Sequence, residues 1–136
     1  MYLIDTNIII YAIKNTYPSL NAKLLKIITD DICISAVTIG ELEYGIAKSH
    51  WGERNKRITK TFIANFNILP FDAQDAICFG KIRNFLTKRG APIGYYDLMI
   101  ASQAVAKKLT LITHNTREFC RVPNLLVEDW TEEESL

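Results

Sequence analysis

Short apolar runs alternate with longer amphipathic stretches along this chain, and the alternation predicts its secondary structure. Residues 2–4 form a short apolar run that stops at Asp5, and residues 8–13 continue at helical length, so we expect a strand, a turn and a helix. From Leu20, apolar residues recur at i+4, i+7 and i+8, which predicts an amphipathic helix that ends at residues 30–31.

The same alternation continues through the rest of the chain. Further strands are predicted at residues 32–34, 67–71, 110–113 and 125–127. Helices are predicted over a segment that carries Glu41, over residues 51–65, from Asp72 to a stop at Gly90, and through Asp97. Almost wholly apolar strands separated by helices are typical of a parallel sheet buried on both faces. We therefore predict an α/β fold with a mostly parallel, five-stranded sheet and helices on both faces.

Length and composition indicate one globular domain over residues 1–136. The chain is 49% hydrophobic and 23% charged, as ordinary globular proteins are, and a second core would leave neither half enough apolar surface to bury. No apolar run approaches the roughly 20 residues of a membrane span. Residues 1–5 lack the basic region and cleavage site of a secretory signal, so we expect a cytoplasmic protein without membrane association.

Cysteine and histidine usage restricts the metals to be considered. The three cysteines, Cys33, Cys78 and Cys120, are widely and unequally spaced, unlike a disulfide framework or a zinc site, and we interpret them as reduced thiols. The chain has only 2 histidines. A bound metal is therefore expected to be a hard, oxygen-liganded ion such as Mg²⁺ or Mn²⁺.

Charge is distributed unevenly along the chain. The formal net charge is +1, but residues 128–136 hold five acidic and no basic residues, which leaves 16 basic against 10 acidic groups in residues 1–127, or about +6. A body of this charge can bind a polyanion, and scattered surface lysines and arginines can equally serve solubility. Charge alone leaves both interpretations open.

Acidic residues follow the predicted strands where a parallel sheet binds ligands. Asp5 ends the first strand, Glu41 lies early in the helix after the second strand, and Asp97 lies near the start of a later helix, while Asn115 follows the fourth strand. The carboxyl ends of parallel strands meet at one edge of a sheet, so these side chains are expected to converge. Glu43 is a further candidate, although two helical positions are about 200° apart and it cannot share a face with Glu41.

Each of these acids also has a structural interpretation. Asp5 can cap the following helix, residues 38–41 match a capping box in which Glu41 reaches back to the helix start, and Asp97 can interact with the positive end of its helix. Asp72 and Asp75, at i and i+3, are interpreted as a helix cap rather than as catalytic groups.

Taken together, the acids favour chemistry. Three converging carboxylates repel by about 4 kcal/mol per close pair at an effective dielectric constant near 20, against a total stability of about 5–15 kcal/mol. Such a cluster persists if it takes up protons or binds a divalent cation. A cation held this way activates water and neutralises a phosphate, which is the chemistry of metal-dependent nucleases.

The motifs that carry this chemistry are similar to those of VapC-type PIN domains. The matching residues run in order along nearly the whole chain: Asp5-Thr6-Asn7 after an N-terminal strand, Glu41-Leu42 with Gly45, Pro92-Ile93-Gly94 before Asp97, Ile100-Ala101, Thr113-His114-Asn115 with Phe119, and Glu128-Asp129-Trp130. The resemblance implies that Asp5, Glu41 and Asp97 are the metal ligands, with Glu41 chosen over Glu43. Thr6, Asn7 and Thr113 would support the site. Asn115 stands where many PIN domains have a fourth acid, so one well-occupied Mg²⁺ or Mn²⁺ is expected.

The resemblance also implies a fold, an activity and partners. The family fold is a PIN-like three-layer sandwich with a parallel five-stranded sheet, and its members cleave RNA, several of them tRNA at the anticodon loop. They are inhibited by a VapB-type antitoxin and commonly form homodimers and hetero-oligomers with it. Basic residues are candidates for phosphate contacts or for solvated helix faces: Lys48, Arg54, Lys56, Arg57, Lys60, Lys81, Arg83, Lys88 and Arg89.

Two other functions remain open. A signalling receiver domain shares this size and an acidic Mg²⁺ pocket, but it requires paired acids after the first strand and a lysine after the fifth. A catalytically silent PIN domain that only binds RNA or protein is the second alternative, motivated by Asn115. Four aromatic residues are interpreted as packing residues in preference to base-stacking residues: Trp51, Tyr95, Tyr96 and Trp130. His114 is interpreted as a solvent-facing or substrate-contacting residue.

Overall fold

A parallel five-stranded sheet forms the centre of the computed structural model, which describes residues 1–48 and 52–132. The strands lie in the order β3-β2-β1-β4-β5, and each neighbouring pair is parallel. In the register of the sheet, Leu3 is paired with Cys33 on one side and with Leu111 on the other. The predicted sheet is therefore confirmed, with these bounds: β1 (Tyr2–Ile4), β2 (Ile32–Ser35), β3 (Asn67–Leu69), β4 (Thr110–Ile112) and β5 (Leu126–Glu128).

Seven α-helices connect these strands within the described residues: α1 (Thr6–Lys14), α2 (Pro18–Lys26), α3 (Ala36–Lys48), α4 (Glu53–Ile63), α5 (Ala73–Lys88), α6 (Tyr95–Lys107) and α7 (Thr116–Phe119). None of the described helices is long and apolar enough to cross a membrane. The helix expected to run to residues 30–31 ends at Lys26, because Ile27 and Ile28 adopt extended backbone. A short 3-10 turn, Thr29–Asp31, then leads into β2.

Two apolar cores lie on opposite faces of the sheet. Successive strand residues point to opposite faces, so Leu3 belongs to one core and Ile4 to the other. The core under Leu3 is closed by residues of α5, α6 and α7, and the core under Ile4 by residues of α1, α2 and α3. The protein is thus a three-layer sandwich, as predicted.

Helix caps explain several polar residues. Asp72 accepts a hydrogen bond from the backbone N–H of Asp75 (3.0 Å), and Asp75 accepts one from that of Asp72 (2.9 Å), which confirms the capping interpretation. Gly90 follows α5 at a φ of 64°, the left-handed region that favours glycine. The capping box proposed for residues 38–41 is wrong, because α3 begins two residues earlier, at Ala36.

Candidate acidic site at the carboxyl edge of the sheet

Asp5 lies at the centre of the candidate site. It follows β1 and is the N-cap of α1, where its Oδ1 accepts a hydrogen bond of 2.8 Å from the backbone N–H of Thr6. Its Oδ2 accepts a second one, of 2.9 Å, from the hydroxyl of Thr113, the residue that follows β4. The side chain is therefore both a helix cap and a fixed acid at the carboxyl ends of two adjacent strands.

Burial dominates the electrostatics of Asp5, which is only 3% exposed. Desolvation raises its pKa, the hydrogen bonds from Thr113 and Thr6 lower it, and the negative charges of Glu41 and Glu118 raise it again. The net result is a pKa above the ordinary range for aspartate. The charges that act on Asp5 from other elements are those of Glu41, on α3, and Glu118, on α7.

Glu41 reaches the site from α3 through Thr6. The hydroxyl of Thr6 lies 2.8 Å from Oε1 of Glu41 and 3.0 Å from the hydroxyl of Thr38. A hydroxyl has one proton, so Thr6 donates to the carboxylate and accepts from Thr38. Glu41 is half-buried whereas Glu43 is exposed, which places Glu41, and not Glu43, next to Asp5.

Asp97 enters from the first turn of α6, after the N-cap Gly94. Burial raises its pKa most, and the charges of Asp5, Glu118 and Glu41 raise it further, to about 7. These three acids belong to the end of β1, to α7 and to α3, three elements that are far apart in the sequence. A carboxyl group with this pKa is partly protonated at neutral pH, as expected for acids that share one pocket without a cation between them.

Glu118 is a fourth acid that the sequence analysis missed. It lies on α7, and its Oε2 accepts a hydrogen bond of 2.8 Å from Nδ2 of Asn115. The i, i+3 spacing of Asn115 and Glu118 at a helix start was the available signal, because such residues lie on one helix face. The expectation of a single metal ion rested on the absence of a fourth acid. Because Glu118 is a fourth acid, the number of ions is no longer limited to one on that ground.

The remaining predicted site residues differ in their placement. Thr113 is fully buried, and its hydroxyl also accepts a hydrogen bond of 3.0 Å from the backbone N–H of Asn115. Asn115 itself is exposed at the start of α7. Asn7 is exposed in the first turn of α1 and makes no side-chain hydrogen bond to the part of the chain that the structure describes.

Two residues that follow β5 contact the imidazole of His114, which itself follows β4. Its Nδ1 lies 3.1 Å from Oδ2 of Asp129 and 2.8 Å from the hydroxyl of Thr131. Burial raises the pKa of Asp129, but hydrogen bonds from Thr131 and His114 outweigh it and leave that pKa below its ordinary value. Trp130 is 2% exposed and packs in the core under Ile4, as predicted for a packing residue. Trp51 lies outside the described residues.

The acids suit a hard divalent cation by chemistry but do not form a closed ligand shell. Among residues 1–48 and 52–132, no three side chains of histidine, cysteine, aspartate or glutamate are arranged to hold a metal ion at once. Mg²⁺ keeps several of its waters and is commonly bound through one or two carboxylates together with substrate phosphates. Asp5, with two fixed oxygens, and the neighbouring Asp97 fit this open type of site.

Comparison with known proteins identifies the class to which this fold belongs. The profile of the PIN domain family matches residues 2–125. The chain therefore belongs to the PIN-domain family. The tRNA(fMet)-specific endonuclease VapC of Salmonella typhimurium is 41% identical over 129 residues, which cover 95% of this chain and 97% of that protein. Ribonuclease VapC2 of Rickettsia felis is 39% identical over 132 residues, 96% of this chain and 98% of that protein.

A solved structure gives the same result for the fold. The crystal structure of DNA-bound VapBC from Salmonella typhimurium contains a chain that superposes with a TM-score of 0.89 at 40% identity, covering 95% of this chain and 97% of that chain. The receiver-domain alternative is wrong, because receivers have the strand order 2-1-3-4-5 and this sheet has the order 3-2-1-4-5.

Proposed function

We propose that this protein is a metal-dependent endoribonuclease toxin that cleaves RNA at the acidic site. The observation that supports this most is the placement of four acids from separate elements at one edge of the sheet: Asp5, Glu41, Asp97 and Glu118. Burial raises the pKa of Asp97 to about 7, and the charges of Asp5, Glu118 and Glu41 contribute to that rise. Side chains that repel one another in this way cost stability, and a cation-binding function accounts for their retention at the carboxyl edge of the sheet.

In the proposed mechanism each residue has a distinct role. Asp5 and Asp97 would hold the ion, and Glu41 and Glu118 would accept hydrogen bonds from its bound waters. Bound Mg²⁺ or Mn²⁺ would make the attacking water more acidic and neutralise the scissile phosphate. Thr6 and Thr113 orient Glu41 and Asp5 through the hydrogen bonds described above. Asn115 positions Glu118 through its amide nitrogen.

The relatives suggest the substrate and the partner. The relative from Salmonella typhimurium is named for action on tRNA(fMet), so we propose tRNA as the substrate of this protein. The similar solved chains belong to VapBC complexes, so we propose a VapB-type antitoxin as the inhibitory partner. Homodimers and hetero-oligomers with that antitoxin, in the cytoplasm where tRNA is present, complete the proposal.

Cleavage of purified tRNA by the isolated protein tests this function. We expect cleavage at a discrete position in Mg²⁺ or Mn²⁺, loss of cleavage with EDTA, and recovery when the ion is restored. Sequencing of RNA ends after brief expression in bacteria should show the same cut, together with growth arrest. Soluble, folded protein that binds RNA but does not cut it under these conditions would favour the silent PIN alternative instead.

A further inference from the structure

A groove of about 710 Å³ opens beside the acidic site. It is lined by Val37, Gly40, Glu41 and Tyr44 of α3 and by Tyr96 and Met99 of α6, two helices that pack together. The α3 positions have the spacing i, i+3, i+4 and i+7, so they form one continuous helix face. Because Glu41 belongs to both the groove and the acidic cluster, a molecule in the groove would extend directly from the reacting phosphate.

Two tyrosines that do not contribute to either core lie at this groove. Tyr44 is 65% exposed and Tyr96 is 62% exposed. Val37 and Met99 supply apolar surface to the same groove, and the Lys48 ammonium lies 5.1 Å from the centre of the Tyr44 ring. Exposed aromatic rings beside a cation are the combination that proteins use to stack unpaired bases and to hold the adjoining phosphate.

A second pair of the same kind lies outside the groove, where α5 meets the start of α6 at Tyr95, the residue before the groove residue Tyr96. The Arg83 guanidinium is 4.9 Å from the centre of the Tyr95 ring and donates a hydrogen bond of 3.0 Å to its hydroxyl. Tyr95 is 61% exposed. Cations therefore accompany exposed tyrosines of both α3 and α6, whereas the acidic cluster beside them bears charge of the opposite sign.

We infer that the groove between α3 and α6 holds one unpaired nucleobase of the RNA, next to the phosphate at the acidic site, with Tyr44 and Tyr96 as stacking residues. This inference rests on the proposed ribonuclease function. The aromatic walls and Lys48 match a base and its phosphate, and the shared Glu41 makes the groove continuous with the site of cleavage. A single-stranded segment is required, because a base within a duplex cannot leave its stack without loss of pairing.

Binding measured in EDTA tests the inference without cleavage. The probes are a fluorescent octamer of single-stranded oligoadenylate and an abasic octamer with the same ribose-phosphate backbone. We expect the parent protein to bind the adenylate octamer about tenfold more tightly than the abasic one, the effect of one stacked base. Tyr44→Ala and Tyr96→Ala should each remove most of that preference, and Tyr44→Phe and Tyr96→Phe should retain it.

Glycine variants provide a matched test that leaves the tyrosines intact. A Cβ at Gly40 or at Gly80 meets no heavy atom within 4 Å, and both glycines lie within helices. Gly40→Leu fills the groove and should abolish the preference for bases, whereas Gly80→Leu, on α5, should leave it unchanged. Equal binding of both octamers by the parent protein would overturn the inference, and so would a preference that survives Gly40→Leu.

Sedimentation of the same variants distinguishes a base-binding groove from a contact between subunits. If Gly40→Leu or Tyr44→Ala changes the oligomeric state together with the preference for the adenylate octamer, the groove is a contact between subunits and the inference is wrong. Failure of the ribonuclease proposal is distinguishable from failure of this inference. A protein that prefers the adenylate octamer in EDTA but never cleaves RNA in Mg²⁺ or Mn²⁺ would support base binding in the groove and refute the ribonuclease function.

Discussion

The hydroxyl of Thr113 lies 2.9 Å from Oδ2 of Asp5 and joins the carboxyl ends of β4 and β1. This hydrogen bond lowers the pKa of Asp5, against the burial that raises it. The two effects together hold a carboxylate in a fixed orientation where desolvation would otherwise favour its protonation. Asp5 can therefore act as a ligand from a buried position.

Removal of this hydrogen bond should shift the pH dependence of cleavage. In Thr113→Val, the pKa of Asp5 rises further, so the acidic limb of the pH–rate profile should move to higher pH, and cleavage at pH 7 should fall by about tenfold. Thr113→Ser retains the hydroxyl and should behave like the parent protein. A Val variant with an unshifted profile would show that Thr113 does not tune Asp5.

Carboxylate substitutions should distinguish the site from its surroundings. Asp5→Asn, Asp97→Asn and Glu41→Gln each remove a charge that faces the proposed ion, and we expect tRNA cleavage to fall by at least about 100-fold. Glu43→Gln is the matched control, because Glu43 lies on the same helix but is exposed. Circular dichroism should show an unchanged fold. Parent-like cleavage by the Asp5 and Asp97 variants would refute the site assignment.

The stability of the metal-free protein should fall as pH rises toward neutrality. The pKa of Asp97 is raised from 3.8 to about 7, so between these values the folded state binds more protons than the unfolded state, and the free energy of unfolding decreases with pH. Since Asp97 is partly exposed, solvent screening limits the effect to about 1–2 kcal/mol. Urea titrations in EDTA at pH 5 and pH 8 measure the difference in the free energy of unfolding. This difference should be smaller in Asp97→Asn.

Divalent ions should bind more weakly at low pH for the same reason. A ligand with a pKa of about 7 is mostly protonated at pH 6 and mostly ionised at pH 8, and a bound cation must displace the proton. We expect the Kd for Mn²⁺, measured by calorimetry, to be about tenfold higher at pH 6 than at pH 8. A Kd that does not change with pH would mean that Asp97 is not a ligand.

Trp130 should contribute to stability and not to RNA binding. Its ring is buried, meets Tyr2 edge-on with centroids 5.0 Å apart, and donates a hydrogen bond of 3.2 Å from Nε1 to Glu128. Trp130→Ala should lower the free energy of unfolding by about 3–5 kcal/mol, as measured by urea titration in EDTA. Trp130→Phe, which keeps an aromatic ring, should lose less. The affinity for the oligoadenylate octamer should remain that of the parent protein in both variants.

The pattern of apolar residues was sufficient to predict the layers of this fold. Runs of three or four apolar residues separated by helical periodicity allow little else than a buried parallel sheet with helices on both faces. The end of α2 at Lys26 could not be predicted from this pattern, because Ile27 and Ile28 fit the helical period. They adopt extended backbone in the segment that leads to β2. The start of α3 was likewise set by Ser35, whose hydroxyl accepts a hydrogen bond of 3.0 Å from the backbone N–H of Val37.

By itself, the sequence determined the two faces of the sheet and the chain positions of Asp5, Glu41 and Asp97, because strand and helix periods are local properties of the chain. Only the tertiary structure decided which acids share a pocket, since proximity between α7 and β1 depends on strand order and on packing across more than 100 residues of chain. Glu118 shows this most directly. Its spacing from Asn115 is local, but its influence on the pKa of Asp5 requires that β4 lie beside β1.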